Sequence, residues 1–210
     1  ALLKRVDIRH SYPHCWRTNK PIIFRATIQW FISIDDKYGN KNNTLRENAL
    51  EVVENLKFYP EWGRNRLKAM LEGRPDWCIS RQRDWGVPIA FFRNKKTDEI
   101  VFDEKVLNYT AMIFEQKGCD AWYDLEISEL LYPGSGLNPD DLEKTVDILD
   151  VWFDSGSTQN AVLRSRNYDA GTFPADMYLE GSDQHRGWFQ SSLLTTLASS
   201  EIAPYKSILT

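Results

Sequence analysis

Near its end the chain passes from an apolar strand, ADMYLEG, into a helix with Phe189, Leu193 and Leu197 at i, i+4 and i+8, and then into a second strand within IAPYKSILT. Two strands joined through a helix run in the same direction, because the crossover returns the chain to the edge from which it started. The pattern is that of the parallel unit of a doubly wound sheet, and it constrains the architecture more than any other feature here. Upstream, helical and strand patterns are interleaved, which places the chain in the α/β class.

Thr44 lies three residues before Glu47, a capping box, and the helix it opens carries Ala49, Val52, Val53 and Leu56 on one face, with Pro60 as its stop. WGRNRLKAMLEG predicts a second helix, ended by Gly73 and Pro75. In DWCISRQRDWGVPIAFFRNKKTDEIVF the second half reads as a hairpin, with IAFF and EIVF flanking the turn RNKKTD. EKVLNYTAMIFEQKG predicts a helix with Gly118 as its C-cap. Residues 119–145 mix short helical pieces with the loop LYPGSGLNPDD, where Asp140 and Asp141 open one more short helix. TVDILDVWFD is expected to be a strand closed by Ser155-Gly156-Ser157, and the alternation in PIIFRATIQWFISI predicts one or two strands.

Composition sets outer limits. A hydrophobic content of 42% suffices for a core, and a formal net charge of −4 argues against a globally nucleic-acid-binding surface. No apolar run approaches the ~20 residues of a membrane span. ALLKRVDIRHSYPHCW lacks the apolar stretch of a signal peptide. Cys15, Cys78 and Cys119 form no CxxC pair, so neither a zinc knuckle nor a disulfide framework is supported, and a cytosolic, reducing setting is expected.

The polar stretch after the apolar strand is the candidate site. YLEGSDQH sits where open α/β sheets bind ligands, outside the carboxyl end of a strand and at a helix start. Gly181 lets the backbone approach a ligand, Glu180 can accept from ribose hydroxyls or pair with an amine, and Asp183 and Gln184 add acceptors and an amide donor. The plainer reading, a helix cap by Ser182 or Asp183, accounts for neither Glu180 nor Gln184. DVWFDSGS repeats the form: Trp152 makes either a flat wall for a side chain or a buried ring beside a turn.

Taken together, HSYPHCWR, ATIQWF, RPDWCISRQRDWGVPI, DVWFDSGS and YLEGSDQHRGWFQSSLL occur in an order that resembles the class I aminoacyl-tRNA synthetases, in the isoleucyl form rather than the valyl or leucyl one. The resemblance runs from about residue 9 to residue 210. It implies a Rossmann-type catalytic domain that joins isoleucine to ATP, with Mg2+, as isoleucyl-adenylate and then transfers isoleucine to tRNA(Ile). It implies adenylate contacts for Glu180, Gly181, Asp183 and Gln184, an isoleucine-pocket role for Trp152, supporting roles for His185 and Trp188, and no metal site. By the same resemblance, residues 1–35 are Rossmann strands following an editing insertion, 36–145 a connective α+β insertion, and 146–210 the closing Rossmann strands and helix. HIGH-type and KMSKS-type signatures are absent from the sequence. The expectation is therefore a monomeric internal part of a cytoplasmic ligase, inactive by itself.

Arg64, Arg66, Lys68, Arg74, Arg81 and Arg83, interleaved with Trp62, Trp77 and Trp85, leave two readings open. They guide the tRNA acceptor end, or they form a solvated face bridging to Asp76 and Asp84. A non-catalytic RNA-binding module remains the rival class. A different nucleotide-binding Rossmann enzyme lacks its GxGxxG or GxxxxGK[ST] loop.

Overall fold

A computed structural model describes residues 2–38, 42–165 and 171–210. In chain order, β1 (Phe31–Ile32), β2 (Lys37–Tyr38) and β3 (Asn43–Thr44) precede α1 (Leu45–Asn55), and β4 (Lys57–Tyr59) leads into α2 (Trp62–Glu72). Then come β5 (Trp77–Cys78), β6 (Ser80–Arg81), β7 (Phe92–Asn94), β8 (Ile100–Val101), α3 (Glu104–Lys117), α4 (Ala121–Asp124) and α5 (Ile127–Leu130). A 3-10 turn at Pro139–Asp141 is followed by β9 (Leu142–Lys144), β10 (Ile148–Leu149), α6 (Val151–Thr158), β11 (Tyr178–Leu179), α7 (Trp188–Ser200) and β12 (Ser207–Leu209). The fold is mixed α/β with small sheets.

Among the described residues, the parallel sheet has the order β11–β12–β4. Tyr178 pairs with Ile208, and Ile208 in turn with Phe58. β11, α7 and β12 thus form the parallel strand–helix–strand unit that the closing sequence predicts. α7 buries Phe189, Leu193, Leu194 and Leu197 to 1% exposure or less, each burial contributing about 1.5–3 kcal/mol. α1 begins at the predicted capping box: Thr44 Oγ1 accepts from the Glu47 amide at 3.1 Å, and the Glu47 carboxylate accepts from the Thr44 amide at 2.8 Å. Its buried face is Leu45, Asn48, Ala49 and Val53, and α2 buries Gly63, Leu67 and Leu71 against the same core.

A second core lies around the antiparallel strands β8–β7–β9, where Phe92, Val106, Trp122, Leu130 and Leu142 pack together. The predicted hairpin forms, with Asn94 Oδ1 accepting from the Lys96 amide at 2.8 Å and Asp98 taking φ 64°. α3 begins at Asp103, whose carboxylate accepts from the amides of Lys105 and Val106, and ends at Gly118 with φ 83°. Residues 34–77 pack with 178–208, and residues 92–142 close on themselves.

Two expectations differ from the fold. Only Ile148–Leu149 of TVDILDVWFD is a strand, and VWFDSGST is helix α6. Asp150 caps that helix, accepting from the Trp152 amide at 3.3 Å, and Gly156 packs against α7; packing overrode the apolar β-like run. The alternation over PIIFRATIQWFISI yields only Phe31–Ile32, because Ile23, Phe24 and Ile28 are 83, 81 and 81% exposed and meet no partner strand.

Candidate functional site

β11 ends at Leu179 and delivers Glu180 to the carboxyl edge of the parallel sheet, where its amide donates to the Leu209 carbonyl at 3.3 Å. Glu180 and Asp183 are exposed. The chain then turns through Gly181 into a short 3-10 helix, Ser182–His185. A Cβ on Gly181 would lie 2.7 Å from Asp183 Oδ1, so this position lets the Asp183 carboxylate fold back over the turn. Gln184 bridges the loop to the next helix. Its Nε2 donates to Asp183 Oδ2 at 2.9 Å, and its Oε1 accepts from the Trp188 amide at 2.8 Å, capping α7.

Two of the expected site residues, Gln184 and Trp152, meet at Gly187. A Cβ there would lie 2.5 Å from Gln184 Oε1 and 3.0 Å from the Trp152 ring. Trp152 therefore reaches the loop from the first turn of α6, not from a strand end, and remains 42% exposed. Trp188 faces inward, stacked on Tyr178 with centroids 4.0 Å apart and with its Nε1 donating to the Ser155 carbonyl at 3.0 Å. A recess of about 90 Å3 lies beside them, lined by Arg74, Trp77, Asp150, Trp152, Arg186 and Gly187 among others.

His185 is fully buried, and its Nδ1 lies 2.8 Å from the Ser182 carbonyl oxygen. A carbonyl only accepts, so Nδ1 carries the proton. Burial pushes the imidazole below its ordinary value, which keeps Nε2 bare, and Nε2 has no partner in the described structure.

Sequence reasoning does not single out Asp150, yet the structure places it at the centre of this region. It is buried, accepts from Trp77 Nε1 at 3.2 Å and pairs with Arg81 at 3.0 Å, which ties the WCISR segment to the start of α6. The signal in the sequence is a capping-type residue directly before VWFD. Burial, then the nearby Asp150 charge, raises the Asp154 carboxyl above its ordinary range.

The Arg/Trp segment divides into several roles. Arg64 donates to the Val53, Glu54 and Leu56 carbonyls, satisfying the end of α1, and Lys68 pairs with Glu54. Arg74 lies over Trp77 and donates to Gln190 Oε1 at 2.5 Å, its guanidinium shifted down by burial. Arg66 donates to the Ser182 carbonyl at 3.2 Å. Asp76 accepts from the Ile34 amide instead of bridging an arginine, and Trp85 is 94% exposed.

The family model for class I tRNA synthetases (I, L, M and V) matches residues 7–210. The chain belongs to the class I tRNA synthetases. It is 97% identical over its whole length to the isoleucine–tRNA ligase of Aliarcobacter butzleri. It is 73% identical over its whole length to that of a Nitratiruptor species, and 66% to that of Campylobacter curvus. It spans 23% of the length of each of these class I synthetases. No helix of the described residues is long and apolar enough to cross a membrane, and among them no three His, Cys, Asp or Glu side chains converge as metal ligands.

Proposed function

We propose that this chain supplies part of the isoleucyl-adenylate site of an isoleucine–tRNA ligase, a cytoplasmic and monomeric enzyme with a Rossmann-type catalytic domain. The whole enzyme joins isoleucine to ATP and passes the aminoacyl group to tRNA(Ile). The observation that carries the reading is the convergence of Trp152 and Gln184 over Gly187, just beyond the carboxyl end of a parallel strand. Ligands bind at such strand ends in open α/β sheets. In this reading residues 1–35 are Rossmann strands, 36–145 the connective α+β insertion, and 146–210 the closing Rossmann strands and helix that carry the adenylate loop.

In this reading Glu180 and Asp183 accept from the ribose hydroxyls and the α-amine, Gly181 lets the backbone approach, and Gln184 orients the group between them. Trp152 walls the isoleucine side chain, while Trp188 and His185 hold the loop from beneath. Catalysis is then positioning of the carboxylate for attack on the α-phosphate. In this reading Mg2+ comes with the ATP phosphates and screens their charge. One methylene separates isoleucine from valine, worth ~1–3 kcal/mol in an apolar pocket, a magnitude for which this enzyme class is itself the standard example.

The test is calorimetric titration of the full-length ligase with a non-hydrolysable isoleucyl-adenylate analogue. Glu180→Ala is expected to weaken binding at least about tenfold, the loss of one or two charge-assisted hydrogen bonds. Unchanged affinity would sink the assignment.

A further inference from the structure

The amino-terminal half of α2 lies against the ligand loop, and three independent features mark the contact. Arg66 Nε donates to the Ser182 carbonyl at 3.2 Å, and His185 Nδ1 donates to the same oxygen at 2.8 Å. Two donors from two different elements thus meet on one carbonyl between Gly181 and Asp183. Gly63, the first buried residue of α2, is closely hemmed in: a Cβ there would lie 3.0 Å from His185 Nε2 and 3.1 Å from the Phe58 ring, and both would have to give way. Trp62 covers the other side of the imidazole at 5.8 Å between centroids, and Phe189 meets it edge-on at 5.3 Å. The imidazole is therefore fixed on every side that the described residues reach, with one N–H committed to the loop.

We propose that Arg66 and His185 are positioning residues of the adenylate loop, fixing Gly181, Asp183 and Gln184 through the Ser182 carbonyl, with Gly63 as the residue that lets α2 come close enough. The inference rests on the assignment of residues 180–184 to the adenylate site. Neither side chain touches substrate. A carbonyl clamped by two donors leaves the peptide plane at 182–183 one orientation, and that plane sets where Gly181 presents its backbone and where the Asp183 carboxylate points. Arg66 is exposed, so its conspicuous charge has a structural use that a basic surface patch would not require.

The experiment uses the full-length ligase and isoleucine-dependent exchange of pyrophosphate into ATP, with kcat and KM measured separately, and thermal unfolding alongside. Arg66→Ala is expected to lower kcat about tenfold, the worth of one hydrogen bond used in the transition state. The KM values for isoleucine and ATP should move less than about threefold. Arg66→Gln keeps an N–H donor without the charge and is expected to recover most of the loss. Arg66→Lys recovering while Gln does not would mean that charge on a ligand matters, and the proposal would fail. His185→Asn retains a donor in place of Nδ1–H, whereas His185→Phe fills the cavity without one; only the second should lower kcat. Should His185→Phe fail to fold, the exposed Arg66 series still decides. Glu180→Ala in the same assay separates the two layers: a normal rate there removes the site assignment itself. A crippled Glu180→Ala beside a normal Arg66→Ala removes only the positioning role.

Discussion

Helices α6 and α7 come into close contact at Gly156, and the approach can be tested by adding a single methyl group. A Cβ on Gly156 would lie 2.8 Å from both the backbone carbon and the carbonyl oxygen of Ser191. Non-bonded carbon contacts settle at about 3.5–4.0 Å, so the helices must part by roughly 0.7 Å there. Backbone cannot swing aside as a side-chain tip does. Such overpacking costs about 1–3 kcal/mol, offset by roughly 0.8–1.0 kcal/mol of helix propensity gained by alanine. Gly156→Ala should therefore destabilise by about 1 kcal/mol. Gly73 provides the opposite case: its added Cβ would meet only the Ala69 carbonyl at 3.5 Å, and its φ of −89° suits any residue. Gly73→Ala should stabilise by about 0.5 kcal/mol through the unfolded chain. For a chain of this size the two variants should differ in Tm by roughly 3–6 °C in scanning calorimetry. A Gly156→Ala protein melting as high as Gly73→Ala would refute the close-packing argument. The separation also threatens Trp152, one turn earlier, and the Trp188 hydrogen bond to Ser155.

Acidification should act through His185. Its folded pKa is depressed by burial from the ordinary 6.5, with the Arg66 charge adding in the same direction and the Ser182 hydrogen bond opposing. The unfolded chain then binds the proton first as pH falls, so the contribution is complete above about pH 6.5 and is lost below it, down to the folded value. The denaturant midpoint should fall between about pH 7.5 and 5.5, and His185→Asn should flatten that slope; an unchanged slope would exclude His185 as its source. Asp150→Ala removes a helix cap and leaves the buried Trp77 indole N–H without an acceptor, which together should cost about 3 kcal/mol in urea unfolding. Asp150→Asn keeps an acceptor and should lose less than half of that; equal losses would show that the charge, not the hydrogen bonds, matters.

The elements legible in the sequence are those whose signals are local. The Thr44–Glu47 box, the Gly73 and Gly118 stops and the RNKKTD turn each act within a few residues, and each is found where the sequence places it. DVWFD misleads because a short apolar run suits a strand or a buried helix equally, and the choice is made by Asp150 capping from behind and α7 packing alongside. The loop carrying Glu180 can be picked out because a polar cluster between two apolar elements is unusual. What holds that loop cannot: Arg66 lies more than a hundred residues away, and nothing local marks its partner as a backbone carbonyl. Buried charge has the same character, since nothing local sets Asp150 apart until Trp77 and Arg81 are seen to converge on it.

The strand order β11–β12–β4 also fixes a timetable for synthesis. β4 finds its only strand partner among the described residues in β12, so Lys57–Tyr59 leave the ribosome long before Ser207–Leu209 exist. At about 5–20 residues per second the wait is roughly 8–30 s. The core of residues 92–142 needs no such partner and can close during that interval. Until then α1 and α2 carry Leu45, Val53, Leu67 and Leu71 without the α7 side chains that bury them. The nascent chain would thus present an apolar face for many seconds, which makes that face the natural target for a ribosome-associated chaperone and its neighbourhood the place where slower translation would do most harm.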